Sequence, residues 1–252
     1  MSQERSMKRV IVRTITLPAF VRAVVVLVAV LSAARPGQAQ DAKTPYPSMA
    51  PIEQYTMDRQ AEIVLARSAA PESISRDAEV LVLGGHGYET AVKGKNGFVC
   101  LVERSWTAPI DDPNFWNPKL RGPICLNPPA ARSYLPHTIK KTEFVLAGQS
   151  KAQMFESIKA GLARKELPTP EVGAMAYMLS KEQYLGDSAR HWHPHLMFFL
   201  PPTDAATWGA DLKSSPIFSA NDPEDRLTLF FVPVANWSDG TADAPADPMA
   251  GH

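Results

Sequence analysis

The chain lacks the signatures of the common enzyme classes. It contains no HExxH or paired CxxC metal motif, no P-loop, no dinucleotide fingerprint and no GxSxG nucleophile elbow. Its candidate acid–base carboxylates lie in predicted loops, and their separation in space does not follow from the sequence. None of these familiar catalytic arrangements is therefore indicated, and the sequence alone leaves open whether the protein is an enzyme.

Long apolar runs are also scarce, and the longest one belongs to the N-terminal segment. Residues 1–39 combine a basic start, the uninterrupted apolar run 23–31 and small residues up to Ala39. This pattern predicts a secretory signal peptide cleaved after Ala39, and hence a periplasmic or secreted protein. The run is shorter than the roughly 20 residues of a membrane helix, so no membrane span is expected after cleavage. The alternative is an uncleaved N-terminal anchor.

Excess positive charge is absent once the leader is set aside. The leader carries six of the 26 Lys and Arg residues and one of the 26 Asp and Glu residues, so residues 40–252 have a net charge of about −5 with neutral histidine. A mildly acidic exported chain has no electrostatic reason to bind nucleic acid. Small molecules or metal ions are the partners that remain.

Only two cysteines occur, Cys100 and Cys125. In an oxidising compartment such a pair usually forms a disulfide, and closing a loop of this length stabilises a fold by about 3 kcal/mol in the chain-entropy model. A reactive or metal-bound thiolate is the alternative. The apolar residues around Cys100 favour the disulfide, because reactive thiolates lie in electropositive clefts.

What the sequence does concentrate is histidine. His191, His193 and His195 alternate just before the most apolar run of the predicted mature chain. In an extended segment they would share one face and could bind zinc or copper, with His86 as a further ligand. The alternative is structural: Pro194 excludes a regular central strand, and the imidazoles would bond backbone and water.

A proline-rich segment, 107–137, carries a second candidate site. Trp106, Phe115, Trp116 and Arg121 lie in or beside it and could line a cleft for a sugar or another small ligand. The same aromatic residues could equally form the private core of a loop. The predicted disulfide would tie this segment to the strand that contains Cys100.

The hydrophobic pattern predicts one α+β domain, mainly an antiparallel sheet of about five to six strands packed on one main helix and a smaller one. The main helix is expected over 150–167, where Ser150 and Gln153 form a capping box, and the smaller over 57–69. An Asn96-Gly97 turn predicts a hairpin of 88–93 with 98–106, and strands over 173–180 and from about 193 are expected to pair. The domain organisation is a signal peptide 1–39, an extended lead-in 40–55, a globular domain 56–236 and a loose C-terminal tail 237–252.

Two functional hypotheses follow. The first is an exported binding or structural module that holds a small molecule or, through the histidines, a metal. The second is a metal-dependent enzyme, a hydrolase or an oxygen-using enzyme, in which the same histidines are ligands and an open position activates water.

Overall fold

The computed structural model describes residues 45–243, so the predicted signal peptide lies outside the described residues. These residues form an α+β fold with one eight-stranded sheet and five α-helices. The strands are β1 Glu79–Gly84, β2 Gly87–Val92, β3 Val99–Glu103, β4 Gly122–Leu126, β5 Met175–Met178, β6 His195–Leu200, β7 Phe218–Asp222 and β8 Leu227–Pro233. The helices are α1 Arg59–Arg67, α2 Glu72–Ser75, α3 Pro128–Ser133, α4 Leu135–Leu146 and α5 Lys151–Ala163.

The α+β class is confirmed, but the sheet and the helical layer are larger than the sequence indicated. Two of the eight strands, β4 and β7, were not predicted, because β4 lies in the proline-rich segment and β7 has little apolar character. Three further helices join the two expected ones, and α4 is nearly as long as α5. No helix in the described range is long and apolar enough to cross a membrane.

The strand order is β2-β1-β3-β4-β5-β6-β8-β7. Every neighbouring pair is antiparallel except β1 with β3, which is parallel. The predicted pairing of 173–180 with the strand after residue 193 is confirmed, since Met178 lies opposite His195 in the β5–β6 ladder.

The hairpin predicted at Asn96-Gly97 is wrong. Strand β2 pairs with β1 through the turn at Gly85, and β1 then lies between β2 and β3. Gly97 does adopt a positive φ of 79°, but its turn leads β3 alongside β1 rather than back onto β2. A turn motif specifies a local reversal, whereas the choice of strand partner depends on distant packing.

Strand β3 is buried on both faces, and its alternate side chains belong to two different core clusters. Cys100 and Val102 face α1 and contact its Ala66, whereas Leu101 faces the layer that contains α3 and α4. Because side chains alternate along a strand, Glu103 falls on the same side as Leu101. The sequence thus delivers a carboxyl group into the interior beside α4.

The helices begin where the sequence provides caps. Ser150 and Gln153 form the predicted capping box at the start of α5, and the side chain of Asp58 accepts a hydrogen bond from Ala61 N at the start of α1. Asn127 caps α3 in the same way, with proline at its first positions.

The segments flanking the predicted domain take part in the fold where they are described. Within 45–55, Tyr55 is fully buried, and its hydroxyl donates to the carbonyl of Trp116. Within 237–243, Ser238 N donates to Leu179 O, and Asp243 N donates to Ala235 O. Both segments are therefore anchored to the body of the protein by specific contacts.

Candidate functional site

The three alternating histidines bond three different groups. His191 Nδ1 contacts the carbonyl of Gln183 at 2.9 Å, and His193 Nδ1 contacts a carboxylate oxygen of Asp243 at 2.6 Å. His195, the first residue of β6, is buried, and its Nδ1 donates to the carbonyl of His193 at 2.7 Å. The alternation of side chains between the two faces of β6 begins only at His195. His193 lies before the strand, so it is half exposed although it is two residues from His195.

His86 lies exposed in the turn between β1 and β2. Within residues 45–243, no group of three or more His, Cys, Asp or Glu side chains is placed to hold a metal ion. Zinc or copper binding by His86, His191, His193 and His195 therefore stays a prediction without support from the described geometry.

The predicted aromatic cleft is divided between separate environments. Trp106 and Phe115 are fully buried in a core cluster with Tyr55, and Trp116 packs edge-on against Phe115. Arg121 is half buried and donates to the carbonyls of Pro118, Leu120 and Gln54. Trp116 and Arg121 border different depressions in the surface. Trp106, Phe115 and Trp116 thus form a core beneath their loop. A ligand cleft formed by these residues together with Arg121 stays a prediction.

The predicted disulfide is present. Cys100 and Cys125 lie directly opposite each other on β3 and β4, and their sulfur atoms are bonded. No free cysteine occurs among the described residues.

A cavity of about 360 Å³ lies between the sheet and the start of α4, and the sequence did not reveal it. Residues of both β3 and β7 line the cavity, although four strands separate these two in the sheet order. Gly122 leaves part of the floor open, since a Cβ there would contact Glu103 and Met178 at 3.6 and 3.5 Å. The polar and charged side chains on the wall belong to Glu103, Thr107, Asp112, Tyr134, Trp192, His195 and Asp222.

Glu103 lies on this wall and is buried. Its carboxylate accepts hydrogen bonds from the hydroxyls of Tyr134 and Thr138, at 3.2 and 3.1 Å. Burial raises the pKa of Glu103 to about 7, although those hydrogen bonds and the charge of Lys141 oppose the rise. This carboxyl group therefore exchanges a proton near neutral pH.

A network of two acids and two bases borders the cavity beside Glu103. Lys141 contacts Asp222 at 3.4 Å and also forms an ion pair with Asp225. His137 Nδ1 lies 3.0 Å from Asp225, and its Nε2 lies 2.8 Å from the carbonyl of Pro168. Both contacts of the imidazole are thus with oxygen atoms, one of a carboxylate and one of a backbone carbonyl.

The pKa values of the two acids in this network shift in opposite directions. Burial raises the pKa of Asp222 to about 6, and the charge of Lys141 only partly offsets that rise. Burial acts in the same sense on Asp225, but Lys141 and the hydrogen bond with His137 outweigh it, so the pKa of Asp225 lies below its ordinary range. Asp222, not Asp225, lines the cavity.

His195 supplies a hydrogen-bond acceptor to the same wall. Its side chain is 1% exposed, and burial lowers its pKa to about 4, so the imidazole is neutral at physiological pH. Because Nδ1 donates to the His193 carbonyl, the lone pair is on Nε2. The hydrogen bond of His195 involves Nδ1, and Nε2 is not among the fully buried side-chain atoms that lack a partner within residues 45–243. Trp192 stacks edge-on against the ring at 4.6 Å between centroids.

Of the predicted site residues, only His195 belongs to this cavity. Glu103, Tyr134, Asp222 and the other lining residues were missed, as was Lys141, which contacts Asp222. One signal was present: α4 carries its buried positions at helical spacing, but these are mostly polar, namely Leu135, His137, Thr138, Lys141, Thr142 and Val145. The first residues of α4 fall in the proline-rich segment 107–137, where no helix was expected.

Comparisons with protein-family models, curated proteins and solved structures found no match for this chain.

Proposed function

We propose that this chain is an exported binding module that holds a small molecule in the cavity between the sheet and α4. The observation that carries the proposal is the composition of the wall. A mostly apolar surface, including Met178, Met197 and Phe231, surrounds a few convergent polar groups. Ligand sites in proteins typically have this composition and begin at a volume of about 300 Å³.

Two further features support a binding role. The polar groups Glu103, Asp222 and His195 are buried, and such groups are costly to retain in a core unless they have partners. They are also held in place, because Tyr134 and Lys141 contact Glu103 and Asp222 respectively. A rigid, partly unpaired set of polar groups matches the pre-organisation that tight binding requires.

The metal-based versions of the function rest on the sequence alone. A metal-binding module and a metal-dependent enzyme both need at least three ligands on one ion, drawn from His191, His193, His195 and His86. Those side chains bond separate groups in the described structure. We therefore place the ligand in the cavity rather than at the histidine strip.

A glycine pair gives a direct test of the cavity. Gly122→Val would project methyl groups into the floor, in a strand where valine is favoured and where the Cβ itself meets only ordinary contacts. Gly85→Val is the matched control, because a Cβ at Gly85 meets nothing within 4 Å. Residues 40–252 would be screened against aromatic fragments by saturation-transfer NMR.

We expect to find fragments that bind the wild type and Gly85→Val but do not bind Gly122→Val. If every fragment that binds the wild type also binds Gly122→Val equally well, the cavity is not the site and the proposal is wrong. Thermal unfolding of each variant controls for loss of fold.

A further inference from the structure

Hydrogen-bond acceptors outnumber donors on the cavity wall. Glu103, Asp112 and Asp222 carry carboxyl groups, and His195 presents the lone pair of Nε2. The hydroxyls that line the cavity are already committed. Tyr134 donates to Glu103, and Thr107 donates to the carbonyl of Arg104. Neither lysine nor arginine is among the lining residues. A ligand that fits this wall must therefore bring donors.

Charge balance identifies the position that lacks a cation. Lys141 contacts both Asp222 and Asp225, and Asp225 also contacts His137. Glu103 contacts no cation within residues 45–243: it accepts from the neutral hydroxyls of Tyr134 and Thr138, and burial raises its pKa to about 7.

A second observation, independent of the carboxylates, also points to a donor ligand. The imidazole of His195 is almost completely buried, lines the cavity and has an Nε2 atom without a partner among the described residues. Nε2 is not one of the fully buried atoms without a partner, so it is open to the cavity, where a ligand N–H or O–H can reach it.

The remaining wall suits the rest of such a ligand. Trp192 and Phe231 meet edge to face, with ring centroids 6.0 Å apart, and both line the cavity. Aromatic faces attract cationic groups as well as apolar ones, and recognition of amines by aromatic side chains and carboxylates together is a general solution.

We propose that the cavity binds a small organic amine in its ammonium form, with the charged nitrogen at Glu103 and the apolar body against Trp192 and Phe231. Asp222 and Nε2 of His195 accept the ligand's remaining N–H or O–H groups. This inference rests on the proposed function, because it requires the cavity to be the binding site.

Three probes of one skeleton separate charge from shape. The amine 2-phenylethylamine, the neutral 2-phenylethanol and the anionic 3-phenylpropanoate would each be titrated by calorimetry into residues 40–252. A fragment of this size in a matching cavity is expected to reach a Kd of about 1 mM or tighter. The amine should bind at least about tenfold more tightly than the alcohol, and the carboxylate least of the three.

Glu103→Gln tests the position of the charge. Glutamine keeps the shape and can still accept from Tyr134 and Thr138, but it carries no negative charge. The amine's preference over the alcohol should fall to within about threefold, while the alcohol binds as before. Glu72→Gln is the matched control, since Glu72 is an exposed carboxylate in α2 that does not line the cavity.

A wild-type experiment removes any dependence on how the variant folds. The amine's preference should rise between about pH 5.5 and about pH 8, because Asp222 and then Glu103 become more fully ionised while an alkyl ammonium keeps its charge. Tyr134, Lys141 and Thr138 face Glu103 and do not titrate in this range, and His195 stays neutral.

The outcomes distinguish the inference from the proposed function. Equal binding of amine and alcohol, both lost in Gly122→Val, would overturn the amine inference and leave a neutral-ligand site in the cavity. An amine preference that survives Glu103→Gln unchanged would overturn the placement of the charge. Failure of all three probes to bind the wild type would count against the amine inference, and the fragment screen would then decide the proposed function separately.

Discussion

Glu103 and Arg104 are neighbours in the chain but belong to two buried polar clusters of different character. Arg104 points toward α1, where it forms an ion pair with Glu62 at 2.8 Å and donates to the backbone carbonyls of Tyr55 and Val102. Glu62 in turn accepts from Leu83 N. Neither residue of this pair lines the cavity.

Glu103 points the other way, toward α4 and the cavity. Its carboxylate accepts hydrogen bonds from the hydroxyl groups of Tyr134 and Thr138, and it has no ion-pair partner among the described residues. Buried charge alone therefore does not identify a functional site. The useful distinction is whether the charged group pairs with an opposite charge inside the protein, as Arg104 does, or faces a cavity without such a partner among the described residues, as Glu103 does.

The largest expected effect is on the paired side. Arg104→Met removes the only cation that contacts Glu62 within the described structure and leaves that carboxylate buried. We expect a loss of about 3–5 kcal/mol in the free energy of unfolding, measured with urea. The double variant Arg104→Met/Glu62→Gln should recover part of that loss. A single-variant loss below about 1 kcal/mol would show that the pair is not the structural element described here.

The disulfide provides the next largest effect. Replacing Cys100 and Cys125 by alanine should lower the free energy of unfolding by about 3 kcal/mol. Without the bond, the unfolded chain is no longer closed into a loop between these residues, which are 25 positions apart, and it gains conformational entropy. Unchanged stability of the double variant under oxidising conditions would contradict this. Reduction of the wild type by dithiothreitol should reproduce the loss.

Glu103→Gln should act in the opposite direction. The folded pKa of Glu103 is raised, so its contribution to stability is present below the ordinary glutamate pKa and is lost as the pH rises through about 7. The variant should therefore be more stable than the wild type by about 1–3 kcal/mol at about pH 8 and similar to it at about pH 5. A variant that is less stable than the wild type at about pH 8 would contradict the unpaired state of Glu103.

The histidine strip gives the smallest expected effect. His193 is half exposed and pairs with Asp243 at the surface, so His193→Ala should change the free energy of unfolding by less than about 0.5 kcal/mol. Elemental analysis of residues 40–252, purified without chelator, provides the second readout. Stoichiometric zinc or copper in the wild type that disappears in His193→Ala would instead favour the metal hypothesis.

Local signals in the sequence predicted local structure well. The Ser150 capping box, the β5–β6 pairing and the bond between Cys100 and Cys125 are all present. Each of these depends on residues near one another or on a unique pair. The Asn96-Gly97 turn failed as a hairpin signal because β1 inserts between the two strands, and that parallel pairing depends on long-range packing.

The candidate site was largely invisible for a related reason. Its members come from strands β3 to β8 and from the loops between them, including Tyr134 just before α4, and only the folded sheet brings them together. Histidine drew attention to 191–195 because it is chemically conspicuous, yet of the three histidines only His195 lines the cavity. The more informative pattern was the helical stripe of His137, Thr138, Lys141 and Thr142, which carries polar residues at buried positions.

The most direct test of the account is the crystal structure of residues 40–252 soaked with 2-phenylethylamine. We expect the ammonium nitrogen about 2.7–2.9 Å from a carboxylate oxygen of Glu103, with the phenyl ring against Trp192 and Phe231. An empty cavity, with the amine bound instead in the apolar groove beside Val64 and Leu65 of α1, would contradict the central claim that the cavity is the ligand site.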